Sequence, residues 1–581
     1  MLLCRSLSSS SPASRYAIRS LAPCCRPTAE QCCANINFHA DRAMSSVKTA
    51  ASASTSPLFK YTSGRWVYNE DKRLAERERI FNVAELQGLA AHAVNRTTED
   101  TAGIEKLGEG AANRAFTIHF KDGFKVVARI PYPYVEPKGL AVASEAATMT
   151  FLRSKGIPVP KIFDYSCSSD NAAGTEYIFM EFCSGMELAG IWDGLGEACQ
   201  TRLVRSLVDV EARLSNIRLP ASGSLYFLRD VPANATKVAV DTEDVDRPDS
   251  LYLGPSTDLP FWFGKRNNLD VDRGPFSTSE AVMNSGAIKE MRYLEQYGRP
   301  LLPFNRFQRE TFNLEKQMPS IHLDSIQKYL QISKYLIPRA KSLTTPTLRH
   351  PDLRPGNIFV SDDLHITALI DWQHSVVQPL FLSCGVPEFL ASPSHHSDTS
   401  ETSGTFPEKG ASDTSQRLEL SRQIHCHEAY VDMTERHNPL HFEALTDPFA
   451  VARQKIHRLA GGPWQGDNIP LRSSLMFVKQ HWSQICSDSA VPCPISFTQE
   501  DETECLRLDD AEQQGVEQLE EFKRAIGLGP EGWVSNENYD AAREAIARMK
   551  QMSLEQAESE EEMTAIRDHW VFDDMDEEEY S

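Results

Sequence analysis

The segment His350–Asn357, read with Ile370–Trp372, constrains this chain more than any other feature of its sequence. It places Asp352 five residues before Asn357 and nineteen before Asp371, with two short apolar runs between the polar residues. Phosphoryl transfer from ATP uses such side chains in this order. The first carboxylate orients the acceptor group or takes its proton, and the amide and second carboxylate hold metal ions. The alternative is a pair of β-turns whose Asp and Asn make only local hydrogen bonds. The apolar runs, typical of strands, favour the first interpretation.

A second feature is the pair Gly108 and Gly110, which lies between the predicted strands 104–107 and 114–120. Glycine allows the backbone to approach a phosphate closely, so a hairpin of this kind is a candidate phosphate-binding loop. The third glycine of the protein-kinase loop is absent, and a plain hairpin turn remains the alternative.

The next predicted strand, Phe124–Ile130, carries Arg129, where a protein kinase has lysine. Arginine is always charged and offers two donors to phosphate. The helical spacing of Leu140–Lys155 places Glu145 sixteen residues after Arg129, as its candidate ion-pair partner. The alternatives are an exposed arginine at a sheet edge and a solvated glutamate on a helix.

Two further predicted strands, 161–165 and 176–182, lead into a linker that contains Glu181 and Cys183. A strand that ends in such a linker offers backbone N–H and C=O groups to adenine. We therefore include Glu181 and Cys183 among the candidate nucleotide-binding residues.

The chain resembles the aminoglycoside phosphotransferase and choline kinase superfamily, a branch of the protein-kinase-like folds. The residues that carry the resemblance are Gly108, Gly110, Arg129, Glu145, Met180-Glu181, His350-Pro351-Asp352, Asn357 and Ile370-Asp371-Trp372. Within that superfamily it is most similar to the fungal altered inheritance of mitochondria proteins. Trp372-Gln373, where protein kinases have Phe-Gly, is typical of kinases that act on small molecules.

The resemblance implies an α+β, two-lobed protein-kinase-like fold, with a small antiparallel-sheet N-lobe containing one helix and a larger, mainly helical C-lobe. The predicted segments are a disordered mitochondrial presequence (1–43), a nucleotide-binding N-lobe (60–182), a catalytic and substrate-binding C-lobe (183–500) with inserts at 229–306 and 392–415, C-terminal helices (501–552) and an acidic tail (553–581).

For function, the resemblance implies ATP and Mg²⁺ as cofactors and a small molecule with a hydroxyl or amine as acceptor. It gives Asp352 the role of catalytic base, with Asn357 beside it, and makes Asn357 and Asp371 the metal ligands. One alternative is a weakly active or inactive nucleotide-binding pseudo-kinase that serves mitochondrial maintenance. Another is a transferase of AMP, which the mass of the product would distinguish.

The N-terminal 29 residues contain Arg5, Arg15, Arg19 and Arg26, seven serines and no Asp or Glu. This composition is typical of a mitochondrial transit peptide. We expect a mitochondrial protein, most simply of the matrix, and a cytoplasmic form if translation starts at Met44. The 13 cysteines include no C-x-x-C pair and predict no disulfide framework.

The net charge of −21 is concentrated near the C-terminus, where residues 551–581 hold twelve acidic residues and one arginine, a charge of −11. Such a run is typical of a solvated, poorly ordered end, and a docking arm for a protein partner is the alternative. The acidic balance disfavours nucleic acid as a partner. No run of about 18 apolar residues occurs, so we expect no stable membrane insertion.

The two inserts differ in composition. Residues 392–415 are rich in Ser, Thr, Pro and His, which predicts a disordered surface loop. Residues 229–306 are rich in aromatic side chains and are the candidate substrate cap. The members of that segment expected near the acceptor pocket are Trp262, Lys265, Arg266 and Arg273. Simple packing of an enlarged lobe explains the composition equally well.

Overall fold

The computed structural model describes residues 56–241, 247–392, 414–486, 488 and 490–581. They form two compact units. Of these residues, unit 1 contains 56–80, Asn305–Glu315 and Asp510–Met575, and unit 2 contains the others. Residues 60–80, which the sequence analysis assigns to the N-lobe, fall in unit 1. The predicted presequence and nearly all of the predicted loop 392–415 lie outside the described residues.

The strands are β1 Arg65–Trp66, β2 Thr101–Glu109, β3 Asn113–Phe120, β4 Lys125–Pro131, β5 Ile162–Ser166, β6 Tyr177–Glu181, β7 Met186–Glu187, β8 Ser224–Phe227, β9 Val238–Ala239, β10 Leu251–Gly254, β11 Pro346–Leu348, β12 Ile358–Val360, β13 Ile366–Leu369, β14 Val377–Pro379 and β15 Trp533–Val534.

The helices are α1 Glu70–Arg77, α2 Val83–Ala93, α3 Leu140–Ser154, α4 Glu197–Ser215, α5 Ser279–Tyr297, α6 Arg306–Thr311, α7 Pro319–Ile332, α8 Leu380–Ser383, α9 Thr414–His437, α10 Pro439–Leu445, α11 Ala450–Gly461, α12 Ile469–Gln480, α13 Trp482–Ile485, α14 Gln499–Ile526, α15 Tyr539–Gln556 and α16 Glu560–His569.

Unit 2 contains a five-stranded antiparallel sheet in the order β2-β3-β4-β6-β5, which follows helix α2 along the chain. The central strand β4 is buried from Val126 to Ile130, because it pairs with β3 on one side and β6 on the other. Its β-branched residues suit such a position. The strands predicted from the sequence at 104–107, 114–120 and 124–130 are all present.

Helix α3 packs against this part of unit 2 and is buried along most of its length, from Ala141 to Met149. Its run of alanines permits this, because small side chains let a helix lie close to neighbours on several sides. The chain leaves the helix through Gly156, at φ +76°, a conformation that costs glycine little. The helix predicted over residues 140–155 is therefore confirmed.

The second part of unit 2 is mainly helical. Helices α4 and α9 pack against each other, as do α5 and α11. The core there contains Leu203, Leu207, Trp372 and Tyr430, all buried. A three-stranded antiparallel sheet, β13-β12-β7, pairs the β12–β13 hairpin with the short strand β7, which follows β6 along the chain. An antiparallel sheet followed by a mainly helical region confirms the predicted α+β class. Two helices, α2 and α3, pack against the sheet where one was expected.

Unit 1 is held together by a short antiparallel pair, β1 with β15, and by an apolar cluster around Val67, Phe522 and Val534. Phe572, which follows helix α16, is buried in the same cluster. Arg306 donates to the backbone carbonyl groups of Trp570 and Asp573.

The acidic tail is folded, which corrects the expectation of a solvated end. Residues Glu560–His569 form a helix whose first residues are capped by Ser559. In unit 2, the Tyr580 hydroxyl donates to the Leu302 carbonyl at 2.9 Å, and Arg299 donates to the Glu579 carbonyl at 2.8 Å. The aromatic residues spaced between the acidic ones supply the apolar surface that a charge count overlooks.

Within the described part of the chain, no helix combines the length and apolar character that crossing a membrane requires.

Candidate active site

The pairing of β12 with β13 brings two of the predicted site residues together. In this antiparallel hairpin Ile358 lies opposite Leu369, so Asn357 precedes one strand at the point where Asp371 follows the other. The Ile370 N–H donates to the Asn357 carbonyl at 3.0 Å and closes the pair. The apolar runs seen in the sequence are these strands, and their register determines how the polar residues at their ends are placed.

Asp352 is linked to Asn357 by two hydrogen bonds. The Asn357 amide nitrogen donates to the Asp352 backbone carbonyl at 2.8 Å and to its carboxylate at 3.2 Å. Arg354 also pairs with this carboxylate, at 2.8 Å. The side chain of Asp352 is 52% exposed, whereas Asn357 is buried. The aspartate is therefore accessible to an acceptor, and the asparagine is held in place behind it.

His350 stabilises this loop through two hydrogen bonds of its ring. Its Nδ1 accepts the N–H of Asp352 at 3.1 Å, so the ring proton lies on Nε2, which donates to the Ile370 carbonyl at 2.8 Å. Burial lowers the pKa of His350 and keeps the ring neutral, as these bonds require. The ring packs edge-on to Trp372, with the centroids 4.5 Å apart.

The start of the loop is anchored by a buried ion pair. Arg349 contacts the carboxylate of Glu211 on α4, and the other oxygen of Glu211 accepts the Tyr430 hydroxyl at 2.6 Å. Arg349 also donates to the Ser383 carbonyl at 2.7 Å. Residues far apart in sequence thus hold the backbone immediately before His350.

Arg129 joins the sheet to the loop. One guanidinium nitrogen contacts the carboxylate of Glu145 on α3, and the other contacts that of Asp371. Both Arg129 and Glu145 are buried. The expected ion pair is therefore present, although a lone glutamate on a helix is more often solvated. Arg129 is held at an interior position and not at an exposed sheet edge.

Asp371 occupies a conformation that its surroundings impose. Its backbone has φ +65°, which few residues other than glycine adopt and which Asp tolerates better than most. Burial alone would raise the pKa of its carboxyl, but the charge and the hydrogen bond of Arg129 outweigh burial and lower that pKa. Asp371 is therefore ionised at neutral pH, with its side chain 31% exposed.

The glycine hairpin is anchored at its base. The Gly110 N–H donates to the Asn113 carbonyl at 2.9 Å. The Glu109 carboxylate accepts from Arg114 at 2.9 Å and from Lys106 at 2.8 Å. A side chain at Gly108 would meet nothing within 4 Å, so its open surroundings leave room above the backbone. The glutamate of the hairpin is thus structural, and the glycines remain the candidates for phosphate contact.

Glu181 and Cys183 lie at the end of β6, as predicted. The Glu181 carboxylate accepts from Arg153 at 3.1 Å and from the Lys161 N–H at 3.0 Å, so its side chain secures the strand end. Burial, reinforced by the negative charge of Glu181, raises the pKa of the Cys183 thiol to about 12. The thiol is therefore protonated at neutral pH. A contact of this segment with adenine remains a prediction that rests on its backbone.

The residues expected to cap the acceptor pocket are in part structural, which corrects that expectation. Arg266 is fully buried and forms a two-pronged pair with Glu290 on α5, at 2.7 and 2.6 Å. Arg273 stacks on Trp262 at 4.3 Å and donates to the Arg266 carbonyl at 2.8 Å. Packing of an enlarged lobe explains these three side chains. Sequence reasoning overlooked Glu290, 24 residues after Arg266, whose negative charge pairs with this arginine.

Among the described residues, no group of three or more His, Cys, Asp and Glu side chains is arranged to hold a metal ion. The predicted pair Asn357 and Asp371 fits Mg²⁺ nonetheless. This ion takes only one or two protein carboxylates and completes its shell with water and phosphate. Since the Asn357 amide nitrogen donates to Asp352, the amide oxygen is the end that would hold a metal ion.

Sequence reasoning missed Arg354, Asn113 and Gln373. Arg354 lies two residues after Asp352 and pairs with it, so the spacing was available as a signal. Gln373 accepts from Arg129 at 3.0 Å and from Asn113 at 3.2 Å. Nothing in the sequence indicates that Gln373, Arg129 and Asn113 lie together.

Residues 103–382 match the family model described as the phosphotransferase enzyme family. Over these residues the chain is similar to that family. The match covers the sheet, α3, the Asp352 loop and Asp371. Together with the observed architecture, it confirms the expected protein-kinase-like fold and the resemblance to the aminoglycoside phosphotransferases.

Relatives extend the comparison beyond that domain. The chain is 28% identical over 519 residues to the subtelomeric hrmA-associated cluster protein of Aspergillus fumigatus, covering 81% of this chain and 97% of that protein. It is 23% identical over 573 residues to altered inheritance of mitochondria protein 9 of Saccharomyces cerevisiae, covering 85% and 89%. The expected similarity to that fungal group is thereby confirmed.

Among solved structures, the ternary complex of APH(2'')-IIa with streptomycin and ATP is similar over 69% of this chain and 97% of its own, with 12% identity and a TM-score of 0.32.

Proposed function

We propose that this protein is an ATP- and Mg²⁺-dependent phosphotransferase acting on a small molecule with a hydroxyl or amine group. The observation that carries the proposal is the register of the β12–β13 hairpin. It sets Asn357 beside Asp371, while Asn357 holds Asp352 and Arg129 reaches Asp371 from the sheet. Carboxylate, amide and cation are thus grouped as phosphoryl transfer requires.

The nucleotide would lie between the glycine hairpin and the Asp371 segment. Gly108 and Gly110 supply backbone that can approach phosphate, and Arg129 supplies a fork-shaped cation matched to phosphate oxygens. Glu145 holds that cation in position. The backbone after Glu181 is the candidate contact for the base.

Asn357 and Asp371 would hold Mg²⁺, which offsets the negative charge of the phosphates when it is bound. Asp352 would orient the acceptor and take its proton, because its carboxylate is accessible and is held by Asn357 and Arg354. Its partial exposure suits a group that must meet a diffusing substrate. Positioning and charge neutralisation supply most of the rate in this chemistry.

We propose a mitochondrial location, supported by the N-terminal composition and by the name of the yeast relative, altered inheritance of mitochondria protein 9, mitochondrial. A small-molecule acceptor is the proposed partner. Nucleic acid is disfavoured by the net charge of −21. A protein partner of the acidic tail would have to bind a segment that is already folded.

A second candidate is a nucleotide-binding pseudo-kinase that serves as a binding protein. One observation favours it: Arg129 pairs directly with Asp371, so the candidate metal ligand is engaged by a cation. The exposed carboxylate of Asp352 favours the enzyme, since a binding protein would not require an accessible carboxylate there.

The decisive experiment is Mg²⁺-dependent ATP turnover by the purified full-length chain, supplied with pooled mitochondrial metabolites. Asp352→Ala should lower turnover by about 10³-fold, the range for loss of a general base, without loss of folded protein. Asp362→Ala is the matched control, because Asp362 is exposed in the turn between β12 and β13. Mass spectrometry of the product would identify the acceptor and separate phosphoryl from AMP transfer.

Equal turnover by wild type and Asp352→Ala would refute the mechanism. Tight Mg-ATP binding without turnover would shift the interpretation to the pseudo-kinase.

A further inference from the structure

Gln373 lies two residues after Asp371, in a turn whose conformation is tightly constrained. Asp371 and His374 both have positive φ, at 65° and 59°. Trp372, between Asp371 and Gln373, is fully buried, and its indole N–H donates to the Leu369 carbonyl at 3.1 Å. The tryptophan thus anchors the turn in the core and limits the movement of the two side chains that flank it.

The amide oxygen of Gln373 accepts two hydrogen bonds from different parts of the sheet. Arg129 on β4 donates to it at 3.0 Å, and Asn113, at the base of the glycine hairpin, donates at 3.2 Å. An amide oxygen has two lone pairs and accepts both. Gln373 is itself buried. One neutral acceptor therefore connects the glycine hairpin, the phosphate-binding cation and the turn that carries Asp371.

The same nitrogen of Arg129 that contacts Gln373 also contacts Asp371. A carboxylate that coordinates Mg²⁺ directs its electron density to the metal, so its bond to Arg129 weakens. Gln373 carries no charge and is a poor competitor for the ion. It can therefore keep its bond to Arg129 after Asp371 has turned to the metal.

We propose that Gln373 is a positioning residue that holds Arg129 and the glycine hairpin in place once Asp371 coordinates Mg²⁺. This inference rests on the proposed nucleotide site and adds a role that depends on the metal. Without metal, Asp371 and Glu145 both hold the guanidinium, and Gln373 contributes little. With metal, Glu145 and Gln373 are the remaining partners, one at each nitrogen of the fork.

The arrangement also accounts for arginine at position 129. Its two terminal nitrogens reach Glu145 on one side and Asp371 with Gln373 on the other. A lysine has a single nitrogen and cannot span these partners in the same geometry. Arg129 and Gln373 should therefore act as a pair.

The test compares nucleotide affinity with and without metal. Gln373→Leu keeps the approximate size of the side chain and removes the acceptor oxygen. We expect it to weaken Mg-ATP binding, measured by calorimetry, about 10-fold or more, and to change ATP binding in EDTA by less than about 3-fold. A merely structural role would weaken both equally.

Pairwise coupling gives a second criterion. In an Arg129→Lys background, Gln373→Leu should cost less than about 3-fold, because the residue through which it acts has already changed. Gln378→Leu is the matched control. Gln378 is a half-buried glutamine in β14, outside the site, and its replacement should leave both affinities unchanged.

The outcomes separate this inference from the function it rests on. If wild type binds Mg-ATP and Asp371→Ala does not, the nucleotide site stands. Gln373→Leu that then binds Mg-ATP normally, or loses affinity equally in EDTA, overturns the role of Gln373 alone. If wild type itself binds no Mg-ATP, both proposals are overturned.

Discussion

Two clusters in unit 2 join an arginine to carboxylates, and they differ mainly in exposure. In the site cluster Arg129 contacts Glu145 and Asp371, and the Asp371 side chain remains 31% exposed. In the buried cluster Arg266 and Lys289 contact Glu290, and all three side chains are inaccessible to solvent. In the site cluster, solvent access allows a ligand to replace Arg129 as the partner of Asp371. The buried cluster has no route for exchange.

The buried cluster is nearly saturated by protein groups. Glu290 also accepts the Trp464 N–H at 2.7 Å, and Lys289 donates to the carbonyl groups of Pro260 and Gly461 at 2.9 and 2.8 Å. Burial would raise the pKa of Glu290, but Lys289 and Arg266 outweigh it and lower that pKa to about 2. Charge alone therefore does not distinguish the candidate site arginine from a structural one in this chain. A carboxylate with remaining access does.

The largest effect should come from breaking the buried cluster. Glu290→Ala leaves two cations without their carboxylate, which costs about 3–5 kcal/mol in the free energy of unfolding. Denaturant unfolding would measure it, with Glu295→Ala, exposed on the same helix, as a control expected within about 0.5 kcal/mol. A loss below about 1 kcal/mol would show that the two clusters do not differ as described.

Removing the exposed carboxylate should give the opposite result. Asp371→Asn retains a residue that tolerates positive φ and keeps the shape of the side chain. We expect Mg-ATP affinity to fall about 100-fold, near 2.7 kcal/mol, while the free energy of unfolding changes by less than about 1 kcal/mol. Calorimetry and unfolding would be measured on the same sample. Unchanged Mg-ATP affinity would remove Asp371 from the metal site.

Acid should distinguish the clusters through His322, which neighbours Glu290, Arg266 and Lys289. Burial, aided by those cations against the pull of Glu290, lowers its pKa to about 4 from 6.5. The unfolded chain takes up this proton first as pH falls, so His322 costs about 2 kcal/mol of stability between pH 7.5 and pH 5.

His322→Phe should flatten the dependence of unfolding free energy on pH in this range, because it removes the titrating group. No described contact satisfies either ring nitrogen, so the substitution breaks no hydrogen bond described for the ring. Unfolding at several pH values provides the measurement. A wild-type curve that the variant reproduces would show that His322 is not held neutral.

The smallest effect should come from Arg129→Lys. Lysine keeps the charge but cannot bridge Glu145, Asp371 and Gln373, so Mg-ATP affinity should fall about 10-fold, near 1.4 kcal/mol. Arg205→Lys, exposed on α4, is the control. An affinity equal to wild type would mean that the forked contact is dispensable and only the charge matters.

Much of the fold was predictable, because it follows local rules. Strands β3 and β4 and helix α3 lie where alternation and helical spacing predict them, and Asp352, Asn357 and Asp371 are brought together by a hairpin already evident as two apolar runs. The roles of Arg266 and Arg273 were not predictable, since a sequence does not state which charge lies opposite an arginine. The folded tail was missed because net charge was weighed above its few aromatic residues.

The sequence by itself determined the order of chemical groups: glycine hairpin, cation, carboxylate on a helix, then Asp, Asn and Asp at phosphoryl-transfer spacing. That order follows from local periodicity and residue chemistry, both of which can be read along the chain. Only the tertiary structure decided which charged side chains are buried and paired in the core and which remain accessible to a ligand. Burial depends on contacts between segments such as Arg266 with Glu290, or Arg129 with Gln373, and no local pattern encodes them.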